Sequence, residues 1–138
     1  MAIRSSPTGN EAEARLREVL APFGALTDDQ WTHMVDHGFE ERDGALRLRY
    51  DPAIGGAFDR GPVFDVSLWP VWDTIDCPVL VLRGGDSDLL LPETVVEMGE
   101  RGPAAEAVEI PGVGHAPALM DPSQIAVVRD WLAAPTAA

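Results

Sequence analysis

Basic side chains are scarce in this chain: ten Lys and Arg stand against 23 Asp and Glu, giving a formal charge of −13. That balance argues against nucleic acid and anionic membrane as partners, because both are bound through basic surface that displaces counterions. There is one cysteine, Cys77, so an internal disulfide is excluded. Placed before Pro78 at a strand entrance, with nothing basic beside it in sequence, Cys77 reads as a small buried filler and not as a reactive thiol. No apolar run approaches the roughly 20 residues a membrane span needs, and residues 1–7 lack the apolar centre of a signal peptide. A cytoplasmic protein is the default expectation. Repeats are absent, and the one low-complexity stretch is the tail at 133–138, expected to fray. Gly84-Gly85 is followed by no Lys-Ser/Thr pair, so it is no phosphate loop, and His33 and His37 lack the intervening Glu of a zinc-protease helix. No metal or cofactor is expected.

What is present is a 138-residue chain that is 46% apolar, enough for one core. Asn10 followed by Glu13 signals a helix start, with Ala14, Leu16, Val19 and Leu20 giving an apolar side up to Pro22-Phe23-Gly24. Thr27 with Gln30 forms a capping box, Leu26 and Trp31 are spaced as a hydrophobic staple, Met34 and Val35 continue the stripe, and Gly38 stops it. Asp43-Gly44 is a turn, after which Leu46, Leu48 and Tyr50 alternate with Arg47 and Arg49 as in a half-buried strand. Gly55-Gly56 and Gly61-Pro62 make a loose connection up to Phe64. A short helix over 65–72 then places Leu68, Trp69 and Trp72 on one side. Aromatic residues at such spacing are usually core and not pocket lining.

The chemistry lies in the second half. The run from Cys77 to Leu82 reads as a buried strand ended by Gly84-Gly85, leaving Asp86 and Asp88 in the loop past its carboxyl end. Residues 107–110 form a second short strand ended by Pro111-Gly112, with His115 on the following Gly-rich loop. Both groups therefore leave strand ends, where active sites of open α/β sheets lie. An imidazole takes a proton from a nucleophile only when its other nitrogen is held, and a carboxylate on a neighbouring loop is the usual holder. The lesser reading of Asp88 is a cap on the helix expected from Pro92 to Arg101, and a lone His115 would read as an ordinary loop histidine, which its pairing with Asp88 reverses. Asp86 reads as a cap or a solvated residue.

Acid before histidine, with a nucleophile earlier still, is the chain order of the α/β hydrolases, and residues 65–138 resemble that family. Gly85, Asp88 and Pro92 match its acid loop, with glycine three residues before the aspartate and proline four after. Gly114 and His115, followed by an amphipathic run from Asp121 to Ala134, match its histidine loop and last helix. The resemblance implies Asp88 as the triad acid and His115 as the base. It also implies an α/β fold, mostly parallel strands with flanking helices, divided as a cap-like helical segment over 1–74 and the C-terminal part of the core over 75–138.

The departure from the family pattern is large. Ser5, Ser6, Ser67, Ser87 and Ser123 all lack the G-x-S-x-G surround of a nucleophile elbow, and no His-Gly-Gly oxyanion loop occurs. The expectation is the C-terminal part of a serine hydrolase acting on an ester or lactone, either truncated or one half of a split protein, and nearly inactive alone. A small ester-like substrate would be its ligand once an upstream half completed the site. The alternative is a non-catalytic acidic α/β binding module. On either reading an exposed sheet edge is expected to favour self-association or a partner chain.

Overall fold

The structure, a computed structural model of the chain, describes residues 9–57 and 65–134. The expected Gly61-Pro62 connection, Phe64 and the end of the C-terminal tail lie outside the described residues. Two compact units divide between Val66 and Ser67, except that residues 22–26 belong with the second.

The first unit holds helices α1 (Gly9–Val19) and α2 (Asp28–Gly38) and the strands β1 (Phe39–Arg42) and β2 (Ala45–Leu48). Its buried residues are Ala12, Trp31 and Phe39. Ala12 and half-buried Leu16 share a face of α1, whereas Ala14 and Val19, assigned by sequence to the apolar side, are exposed. The α2 cap is as expected: the Gln30 amide donates to Thr27 Oγ1 at 3.3 Å, and the Gln30 side chain accepts from the Thr27 amide at 2.8 Å. Arg17 joins the two helices through Glu13 and Asp28, at 2.7 and 2.6 Å, and lies 5.4 Å from the Trp31 ring. Asp43-Gly44 makes the hairpin turn, with φ of 56° and 71°, the left-handed pair that a type I′ turn requires. β1 is the strand that hydrophobic patterning misses, because three of its four residues are charged; it pairs antiparallel to β2 with Phe39 opposite Leu48. β2 ends at Leu48, leaving Tyr50 exposed beyond it.

The second unit begins with α3 (Trp69–Trp72), one turn long. Residues 65–68 are not helical and Leu68 is exposed, so the expected 65–72 helix is confined to its last turn, where Pro70 occupies a position that needs no amide donor. Strand β3 (Leu80–Gly84), helix α4 (Pro92–Glu100) and strand β4 (Glu106–Ile110) form a β-α-β unit with the strands parallel and adjacent, Leu80 opposite Glu106 and Gly84 opposite Ile110. Helix α5 (Pro122–Ala133) follows, capped by Asp121, which accepts from the Ser123 amide at 2.8 Å. Val81, Ile110 and Val113 form the buried apolar centre. Cys77 is exposed, which corrects its reading as a buried filler: it precedes β3 by three residues and stands outside the paired region. Among the described residues no helix is long and apolar enough to cross a membrane.

Candidate active site

The two loops expected to carry the chemistry leave the same end of the β3–β4 pair and are bonded to each other. The Gly85 amide donates to the Ile110 carbonyl at 2.8 Å, and the Asp86 amide to the Val113 carbonyl at 2.9 Å. Gly84 makes this approach possible: a Cβ there would stand 1.7 Å from the Gly114 carbonyl oxygen and 2.5 Å from that of Val113, far inside contact distance. From the other side the Gly114 amide donates to the Pro22 carbonyl at 2.7 Å. The segment before His115 is thus fixed by backbone contacts on both sides.

Arg83 braces the 85–91 loop. It stands in an otherwise apolar strand, is 6% exposed, and donates to the Leu90 carbonyl at 2.8 Å, to the Ser87 carbonyl at 3.4 Å and to the Glu109 carboxylate at 2.6 Å. Glu109 is its register partner on β4, so one guanidinium spans both strands and the loop, using the fork geometry that arginine alone offers.

His115 is exposed, and its Nδ1 lies 3.1 Å from the Oγ of Ser87, a buried residue. Asp88, the sequence candidate for the acid, is the next residue and is exposed. It does not cap α4, whose N-cap is Leu91 without a side-chain bond. Asp86 is exposed as well. The side chain that meets His115 is therefore Ser87, which motif spacing considers only as a nucleophile, and not Asp88. The available signal was local: a serine followed two and three residues later by free loop amides is placed to accept from both. Arg83 carried a signal too, since an arginine inside an apolar strand must find several acceptors.

The Trp residues ahead of β3 serve packing. Trp69 and Trp72 meet edge to face with centroids 6.4 Å apart, Arg101 lies 4.7 Å over Trp69, and Trp72 Nε1 donates to the Arg101 carbonyl at 3.2 Å. Arg101 also bonds Asp73 at 2.8 Å, which holds the Asp73 carboxyl below the usual carboxylate range. His33 and His37 stack at 4.1 Å on α2, and among the described residues no group of three or more His, Cys, Asp or Glu is arranged to hold a metal ion. An apolar groove of about 630 Å³ lies along α5, lined by Leu119, Ile125, Val128, Arg129, Leu132 and Ala133; His115 is not part of it.

The chain is similar to known proteins. The chain is 40% identical over 133 residues to the 3-hydroxybutyrate-oligomer hydrolase of Cupriavidus necator, an alignment covering 90% of this chain and 45% of that protein. It is similar to a solved Rickettsia typhi protein, with a TM-score of 0.81 and 29% identity over 92% of this chain and 43% of that one. It is also similar to an alpha/beta hydrolase from Novosphingobium aromaticivorans, with a TM-score of 0.75 and 31% identity over 92% of this chain and 46% of that one. The chain thus spans less than half the length of these relatives and has a partial form of their fold. The model of the alpha/beta hydrolase family matches residues 3–128, and the chain belongs to that family.

Proposed function

We propose that this chain supplies the base and its orienting loop to a serine hydrolase of ester-like bonds, with His115 as the base, Asp88 as the acid, and the nucleophile and oxyanion amides outside these 138 residues. The observation that carries the reading is the junction of the 85–91 loop with the His115 loop at the carboxyl ends of two adjacent parallel strands. In such a site the serine attacks the carbonyl carbon, and His115 takes the serine proton and returns it to the leaving oxygen. The acid holds the ring and stabilises its cation. The name of the Cupriavidus necator relative supports the substrate class, since units of a hydroxy acid join through hydroxyl and carboxyl as esters. In this reading the segment ahead of β3 would serve as a cap and select the substrate. The site would stand in the cytoplasm.

The test is hydrolysis of a nitrophenyl butyrate ester by the chain alone and by a protein extended with its upstream sequence. The chain alone should stay near the uncatalysed rate, because a site without its nucleophile loses most of its chemical advantage. In the extended protein His115→Ala should cost roughly 10⁴–10⁶-fold in kcat. Full activity of His115→Ala would sink the proposal.

The second reading, a non-catalytic module that pairs with another chain, is favoured by one observation: among the described residues β3 pairs with β4 alone, so its far edge offers backbone groups to a further strand. Unchanged partner binding by Asp88→Asn and His115→Ala, with no hydrolysis to lose in any form of the protein, would favour it.

A further inference from the structure

The geometry points to Ser87 as a positioning residue that holds neutral His115 with its proton on Nε2, so that Ser87 and Asp88 compete for a single ring nitrogen. The argument is a count of donors and acceptors. A serine hydroxyl has one proton to donate and two lone pairs. Ser87 Oγ accepts from the Leu90 amide at 3.0 Å and from the Leu89 amide at 3.3 Å, and an amide can only donate. Both lone pairs are thereby engaged, and the remaining partner at 3.1 Å is His115 Nδ1. The hydroxyl proton points to that nitrogen, which must accept. A neutral imidazole carries one N–H and one lone pair, so its proton sits on Nε2.

The consequence deepens the proposed function and rests on it for its catalytic meaning, though the tautomer itself does not. A base that receives a proton at Nε2 needs the lone pair there. With Ser87 at Nδ1 the ring is in the opposite tautomer, a resting arrangement. A carboxylate in place of the hydroxyl reverses it: Nδ1 takes a proton from water and donates it to the carboxylate as a hydrogen bond, Nε2 releases one to water, and the charge of the ring is unchanged. Asp88 is the adjacent residue and is exposed, and among the described residues its carboxylate has no hydrogen-bond partner that would keep it from this exchange. Ser87 itself is anchored by the Arg83 bond to its carbonyl, so the exchange involves side chains on a fixed loop.

Long-range proton–nitrogen correlation spectra of the ¹⁵N-labelled chain, at a pH where the ring is neutral, read the tautomer directly. The unmodified chain should show His115 Nδ1 pyridine-like and Nε2 pyrrole-like, as a single form. Ser87→Ala should relax it toward the mixed tautomers of an unheld imidazole, Ser87→Thr should restore the single form, and Ser87→Asp should reverse it. A pyrrole-like Nδ1 in the unmodified chain overturns the inference, as does a single tautomer unmoved by Ser87→Ala. If Ser87→Ala does not fold, the unmodified chain and Ser87→Asp decide. Failure here is distinct from failure of the functional reading: Nδ1–H in the unmodified chain leaves the loss of ester hydrolysis by His115→Ala untouched.

Discussion

At the scale of single residues, backbone packing and not side-chain chemistry does most to place His115. Gly84 is the contact between the two loops, since a Cβ there would overlap the Gly114 and Val113 carbonyl oxygens. Neither oxygen can retreat without breaking the bonds of its loop to Asp86 or Pro22. Gly84→Ala should therefore destabilise the second unit by at least about 1–3 kcal/mol, the cost of overpacking a closed site, and should shift the His115 ring signals, with thermal unfolding and NMR as the checks. An unchanged Tm would show that the loops are not in contact. Sequence alone marked Gly84 as a strand end, which is correct but incomplete: the need for glycine comes from a loop thirty residues away, and only the parallel pairing reveals it. Asp88 and His115 stand out as candidates because motif spacing is a one-dimensional signal. Ser87 does not, because its role depends on the direction of a hydroxyl.

At the scale of elements, local signals and tertiary contacts separate cleanly. The Thr27–Gln30 box, the Asp43-Gly44 turn and the Pro92 and Asp121 helix starts all use bonds within a few residues, and each stands where the sequence put it. Thr27→Ala should cost about 1 kcal/mol of unfolding free energy, measured by denaturant titration, with Thr27→Ser restoring most of it. β1 has no signal in the sequence and the expected helix over 65–68 does not form for the opposite reason, because both depend on partners: Phe39 and Leu48 pair across the hairpin, whereas Leu68 stays exposed beside the packed Trp pair. The start of α4 is joined to none of the loop carboxylates, but its C-terminal end is tied to α3 by Arg101 and Asp73. Arg101 holds Asp73 below the usual carboxylate range, so the folded chain binds fewer protons at this site than the unfolded one. The stabilisation is complete above the ordinary aspartate range and is lost as pH falls through the lowered value. Asp73→Asn should accordingly lower Tm slightly at neutral pH, and its melting curve should converge with that of the unmodified chain in strong acid. A gap that persisted there would assign the effect to something other than this ion pair.

At the scale of the whole molecule, the acidic surface and the apolar surface make opposing demands. A net charge of −13 favours dispersed chains, yet Ile125 and Leu132 on α5 and Val96 on α4 are 47%, 69% and 60% exposed. Sequence showed the amphipathic pattern of α5 but could not say which part of its apolar face the unit itself covers, because that depends on a sheet of which these residues form two parallel strands. The α5 groove is nearly all apolar, Arg129 being its one charged lining residue, and such a surface associates when another apolar face is offered. Replacing both Ile125 and Leu132 by Glu tests whether that face drives the self-association expected from the sequence. Neither side chain is buried, so each change should alter stability by no more than about 0.5 kcal/mol, and circular dichroism should confirm a retained fold. Sedimentation at increasing concentration should then show a larger species for the unmodified chain and a persistent monomer for the double variant. A monomer in both cases would leave the β3 edge as the site through which a partner chain is recruited, and would remove α5 from the association.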